Sequence, residues 1–119
     1  MRRIVISLAA AVAVAATIIV PAQAKFTGLK GEVNGNFQIK VTRNSVRVRT
    51  IKAGTYRMKI EDKSKFHNFR LKGPRFNRAT TVSFVGERMW TVTLRPGRYT
   101  FQCDPHASSG MKGTFRVTA

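Results

Sequence analysis

The chain has 119 residues, with 22 Lys and Arg against 5 Asp and Glu, for a formal net charge of +17. A balance this basic draws anions of every kind. Of the five acids only Glu61 and Asp62 are adjacent, in what reads as a solvated turn; with no general base and no nucleophile–base arrangement, hydrolytic chemistry has almost nothing to work with, so an enzyme is not expected.

In chain order, the first segment reads as an address rather than as part of a fold. Arg2 and Arg3 open it, Ile4 to Val20 is apolar or small apart from Ser7 and Thr17, and Pro21 precedes Ala22-Gln23-Ala24. A charged start, an apolar stretch and an A-x-A end are the three parts of a secretory signal peptide. The expectation is therefore a leader over residues 1–24 and one domain over 25–119, exported to the periplasm or beyond. The paired arginines also leave the twin-arginine route open. As a membrane anchor the run is marginal in length, and nothing after it is long enough to span a bilayer. Without Arg2 and Arg3 the net charge is +15.

From Phe37 onward apolar residues recur at every second position, the signature of strands. Strands are expected at Phe37 to Thr42, Val46 to Ile51, Thr55 to Glu61, Phe66 to Leu71, Thr80 to Phe84, Arg88 to Leu94, Arg98 to Cys103 and Gly113 to Thr118. An edge strand is expected around Phe26 to Leu29. Asn34-Gly35-Asn36, Lys52-Ala53-Gly54, Asp62-Lys63-Ser64, Gly73-Pro74, Gly86-Glu87 and Arg95-Pro96-Gly97 read as the breaks between them. Many short, evenly spaced strands predict an all-β sandwich with Greek-key connections.

Parity then selects residues. In Arg98 to Cys103, the residues Tyr99, Phe101 and Cys103 share one face, which is expected to point inward. In Phe66 to Leu71, the residues His67, Phe69 and Leu71 share a face, with Asn68 and Arg70 on the other. Cys103 is the only cysteine, so no internal disulfide can form. A lone thiol in an oxidising compartment is a liability unless it is buried or occupied.

The segment Cys103-Asp104-Pro105-His106-Ala107-Ser108-Ser109-Gly110-Met111 reads C-x2-H-x4-M. Singly, its residues have ordinary readings: a buried small hydrophobe, a loop histidine, core filler. Together they place a thiolate, an imidazole and a thioether within nine residues. Two His and one Cys with a weak axial Met make the blue-copper set. The chain holds two histidines, and His67 is the second, so the inventory closes.

His67-Asn68 followed by Cys103-Asp104-Pro105-His106 and Met111 resembles the cupredoxin family, and the stretch from about Lys52 to Ala119 is similar to its small bacterial, plastocyanin-like members. The resemblance implies a Greek-key sandwich of about eight strands with one type 1 copper at one end, held by His67, Cys103 and His106 with Met111 as the axial ligand. It implies that Asn68 offers its N–H to the thiolate while its side chain joins the two ligand loops. Pro105 has no N–H to add a second such bond, which tends to lower the potential. It also implies a one-electron carrier cycling between Cu(II) and Cu(I), with the edge of His106 as the electron port. The charge suggests redox protein partners that present an acidic patch; the lack of any nucleic-acid motif argues against a specific nucleic-acid role, and a monomer is expected. Two other readings stay open: a periplasmic copper-handling protein built on the same site, and a metal-free basic sandwich that binds acidic polymers.

Overall fold

The computed structural model describes residues 9–16 and 28–119. Most of the expected leader, 1–24, and Phe26 lie outside the described residues. Residues 9–16 form no regular element.

Ten strands are present among the described residues: β1 (Leu29–Val33), β2 (Ile39–Arg43), β3 (Val46–Arg47), β4 (Thr50–Lys52), β5 (Gly54–Asp62), β6 (Arg70–Gly73), β7 (Phe76–Ala79), β8 (Gly86–Leu94), β9 (Gly97–Gln102) and β10 (Lys112–Thr118). They form two five-stranded sheets in the orders β3-β2-β1-β5-β8 and β4-β10-β9-β6-β7. The β1–β5 and β4–β10 pairs are parallel and the rest antiparallel. The fold is the expected all-β sandwich, with two sheets packed face to face. Its inward residues alternate as period two requires: Met58 and Ile60 on β5, Trp90, Val92 and Leu94 on β8, Tyr99 and Phe101 on β9, Phe115 and Val117 on β10.

Several boundaries differ from expectation, each for a local reason. Val46 to Ile51 is not one strand, because the chain changes sheets inside it. Val48 N–H still bonds Val41 O in the first sheet at 3.0 Å, whereas Arg49 O already accepts from Arg116 N–H of the second at 2.9 Å. The strand expected around Phe26 to Leu29 starts at Leu29 and is internal, lying between β2 and β5. Thr80 to Phe84 is a turn, with Phe84 N–H donating to Thr81 O at 3.1 Å. The partner of β6 is instead β7, reached through the two-residue loop Pro74-Arg75. Gly86-Glu87 opens β8 rather than breaking the chain; Gly86 enters the strand at φ 128°, which glycine adopts without strain. The expected strand from Phe66 begins only at Arg70.

An aromatic column crosses the second sheet. The rings of Phe69 and Phe101 stack at 6.4 Å, Phe101 and Phe115 at 6.4 Å, and Tyr99 and Phe115 at 5.5 Å. The Tyr99 hydroxyl donates to Pro74 O at 3.2 Å and accepts from Arg95 N–H at 3.0 Å, so its buried polar end is satisfied. Gly113 makes room for the column: a Cβ there would lie 2.3 Å from the Phe101 ring.

Candidate metal centre

Two strand pairings build one end of the second sheet. Antiparallel β6 and β9 put Arg70 opposite Gln102, so the segment before β6 and the segment after β9 emerge side by side. This brings His67 to Cys103. Antiparallel β9 and β10 put Gln102 opposite Lys112, and Cys103 N–H extends that ladder by donating to Met111 O at 3.0 Å. Met111 therefore sits beside Cys103, and both are buried.

The chain between them is a 3₁₀ turn, Asp104–Ser109. Pro105 occupies its first turn, where a missing N–H costs nothing. Gly110 closes it in the left-handed region at φ 96°. Met111 N–H donates to His106 O at 3.1 Å, and His106 N–H to Cys103 O at 3.1 Å. The tight turn folds His106 back over Cys103.

Three ligand-type atoms converge. The Nδ1 atoms of His67 and His106 are 2.9 Å apart, and the Cys103 Sγ lies 3.6 Å from the first and 3.4 Å from the second. Donors sharing one ion, with metal–nitrogen bonds of about 2.0–2.1 Å and metal–sulfur bonds of about 2.3 Å, stand roughly 2.9–3.8 Å apart for angles of about 90–120°. All three separations fall in that span, so the residues present fit a single small metal ion. The chemistry of the set, two imidazoles and a thiol with a thioether beside them and no carboxylate, selects copper. Burial pushes the His67 imidazole below its usual pKa, and the neighbouring His106 pushes it the same way, so the neutral, ligating form is favoured.

Residues next to the ligand-type side chains hold them in place. Asn68 follows His67 and Asp104 follows Cys103, and these two are joined. The Asp104 N–H donates to Asn68 Oδ1 at 2.7 Å, and Asn68 Nδ2 donates to Asp104 Oδ2 at 2.9 Å and to Thr80 O at 3.1 Å. These bonds join the segment after His67 to the segment after Cys103 through the Asn68 side chain. Its assignment to an outward face is corrected: Asn68 is buried, because residues before Arg70 are not in a strand and do not alternate. Asp104 is also gripped by Arg70, whose Nε and Nη2 donate to its two oxygens at 2.8 and 2.9 Å, and by Gln102 Nε2 at 3.1 Å. The Arg70 guanidinium first, with help from Asn68 and Gln102, holds the Asp104 carboxyl down to about 2 against the opposing effect of burial.

Phe37 went unread in the sequence as a site residue. It lies in the β1–β2 loop, whose shape is set by Asn34: the Asn34 Oδ1 accepts from Asn36 N–H at 2.9 Å and from Gln38 N–H at 3.2 Å. Phe37 takes φ 58°, and its ring meets His67 and His106 edge-on, with both centroids at 4.9 Å. A phenylalanine at positive φ leaves no trace in hydrophobic alternation. Thr80 was likewise missed; its Oγ1 accepts from Phe69 N–H at 2.9 Å and fixes the chain just after Asn68.

A family model for copper-binding proteins of the plastocyanin/azurin type matches residues 33–118. The chain belongs to that family. This cupredoxin is similar in fold to rusticyanin from Thiobacillus ferrooxidans, at 21% identity over 76% of this chain and 75% of that one, with a TM-score of 0.53. It is equally similar to dithionite-reduced auracyanin from the photosynthetic bacterium Roseiflexus castenholzii, at 21% identity over 76% and 95% of the two chains, with a TM-score of 0.54. No curated protein sequence matches it. Family and donor set together give this end of the cupredoxin the character of a type 1 copper site.

Proposed function

We propose that the protein is an exported, monomeric one-electron carrier, with a leader over residues 1–24 and a copper domain over 25–119. His67, Cys103 and His106 would hold the metal, with Met111 as the fourth, thioether donor. The observation that carries this reading is the convergence of two Nδ1 atoms and one thiol sulfur within 4.8 Å of one another. When bound, copper would supply a one-electron Cu(II)/Cu(I) couple. The protein supplies a cage that does not need to rearrange. Cys103 is fixed at the end of β9, His106 by the 3₁₀ turn, and His67 by the Asn68–Asp104 tie. Holding ligands on paired strands and a closed turn keeps reorganisation small, which speeds transfer of a single electron.

The two imidazoles differ in exposure. His67 is 2% exposed, and His106 is only partly covered. That difference supports His106 as the edge through which electrons pass. Redox proteins are the proposed partners, and no substrate chemistry is proposed, so the protein is not an enzyme in this reading.

Adding Cu(II) to the purified protein should give intense visible absorption from a Cu–thiolate bond and a reversible one-electron wave. Cys103→Ser should remove the colour while leaving the fold intact by circular dichroism. Colour that survives this substitution would overturn the ligand assignment. Tight Cu(I) binding with no Cu(II) state would favour copper handling over electron transfer.

A further inference from the structure

The two outer faces of the sandwich carry different charge patterns. On the first sheet, acids and bases interleave: Lys30 bridges Glu32 and Glu61 at 3.1 Å each, and Lys40 reaches Glu32 at 3.1 Å. The second sheet is different. Its registers place Arg116 directly opposite Arg98, Thr114 opposite Thr100, and Thr100 opposite Lys72. Alternation with buried Phe115, Tyr99 and Leu71 sends these side chains outward, together with Lys112 and with Lys52 of β4. No strand of this sheet contains an Asp or Glu. The nearest acid, Asp104, is already held by Arg70.

Like charges directly opposite on a sheet are destabilising. Here Arg98 and Arg116 face one another, and no ion pair relieves either among the described residues. None of the exposed large hydrophobic residues lies on this face. Tight protein interfaces are built around a buried aromatic or aliphatic centre, which the face lacks. An outer face with cations and threonines but no acid and no apolar anchor suits a layer of anions.

We propose that the outer face of the β4-β10-β9-β6-β7 sheet docks on an anionic phospholipid bilayer surface, through Lys52, Lys72, Arg98, Lys112 and Arg116. The metal centre sits at the end of the strands that form this face, not upon it. A protein lying on the bilayer by this face therefore keeps the His106 end open to the side. Only that last consequence rests on the electron-carrier reading; the docking itself does not.

The test is partitioning of the purified protein onto vesicles at low salt. Binding to vesicles containing phosphatidylglycerol and not to pure phosphatidylcholine is expected. The triple variant Lys72→Gln, Arg98→Gln, Arg116→Gln should bind on the order of 100-fold more weakly, at about five-fold per cation near the surface. A charge-matched control, Arg47→Gln, Arg57→Gln, Lys63→Gln, should bind within a few-fold of the parent. Equal weakening in the two variants would mean attraction by net charge alone and would overturn the proposal. So would failure to bind phosphatidylglycerol vesicles while an immobilised acidic protein retains the chain. Thermal unfolding checks that both variants fold, and Cu(II) colour is read separately, so failure of the copper site leaves this result intact.

Discussion

Phe37 holds a backbone angle that costs a bulky residue roughly 1–2 kcal/mol. Its return is edge contact with both imidazoles, 59% exposed on its own outer side. Phe37→Gly removes strain and ring together, so its thermal midpoint should change by only a few degrees. A chelator should strip bound copper several-fold faster from that variant, because the ring no longer covers the histidines; an unchanged stripping rate would show that the ring shields nothing. Asp62 carries a different cost. It is buried at the end of β5; its Oδ1 accepts from Ser64 N–H at 2.9 Å, and its Oδ2 has no hydrogen-bond partner among the described residues. Burial pushes its pKa above 3.8, against the lowering effect of Ser64 N–H. A carboxyl that binds its proton more tightly when folded penalises the fold once ionised, so the penalty appears as pH rises from the unfolded value through the folded one. Asp62→Asn should therefore melt a few degrees higher than the parent at pH 7, and the difference should shrink as the pH falls toward the unfolded value. A difference independent of pH would mean that the charge is not the cause.

At the scale of elements, the site depends on a tie between two segments that no strand pairing covers. Residues 66–69 precede β6, and residues 104–109 follow β9. The bonds joining them run through Asn68 and Asp104. Asn68→Ala leaves Asp104 N–H and Thr80 O without their partner, a loss of about 1–3 kcal/mol for buried groups. The expected outcome is a lower melting temperature in the metal-free protein and a broadened, shifted copper absorption in the loaded one. A destabilised protein with an unaltered spectrum would reduce Asn68 to a structural residue. The sequence pattern identifies these residue types but misjudges their setting: it extends alternation four residues too far toward Phe66, which turns Asn68 outward. The same rule succeeded for Tyr99, Phe101 and Cys103, because β9 is a regular strand with a regular partner on each side.

At the scale of the whole molecule, the excess of positive charge spreads evenly along the sequence but not over the surface. Strand order sends Lys and Arg from four separate segments to one face, and gathers Glu32, Glu61 and Glu87 on the other sheet. The vesicle experiment reads that asymmetry directly, since two variants of equal net charge are expected to behave differently. Composition and spacing alone were enough for the all-β class, the sandwich, the copper-type donor set and the grouping of Cys103, His106 and Met111. Those features arise from contacts within one strand, one turn or nine consecutive residues, where chain connectivity fixes the geometry. The approach of His67 to Cys103, the cover supplied by Phe37, the sheet change within Val46–Lys52 and the confinement of strand acids to one sheet were decided only in three dimensions. Each depends on which strands become neighbours, and that choice is made by packing the core rather than by any local preference.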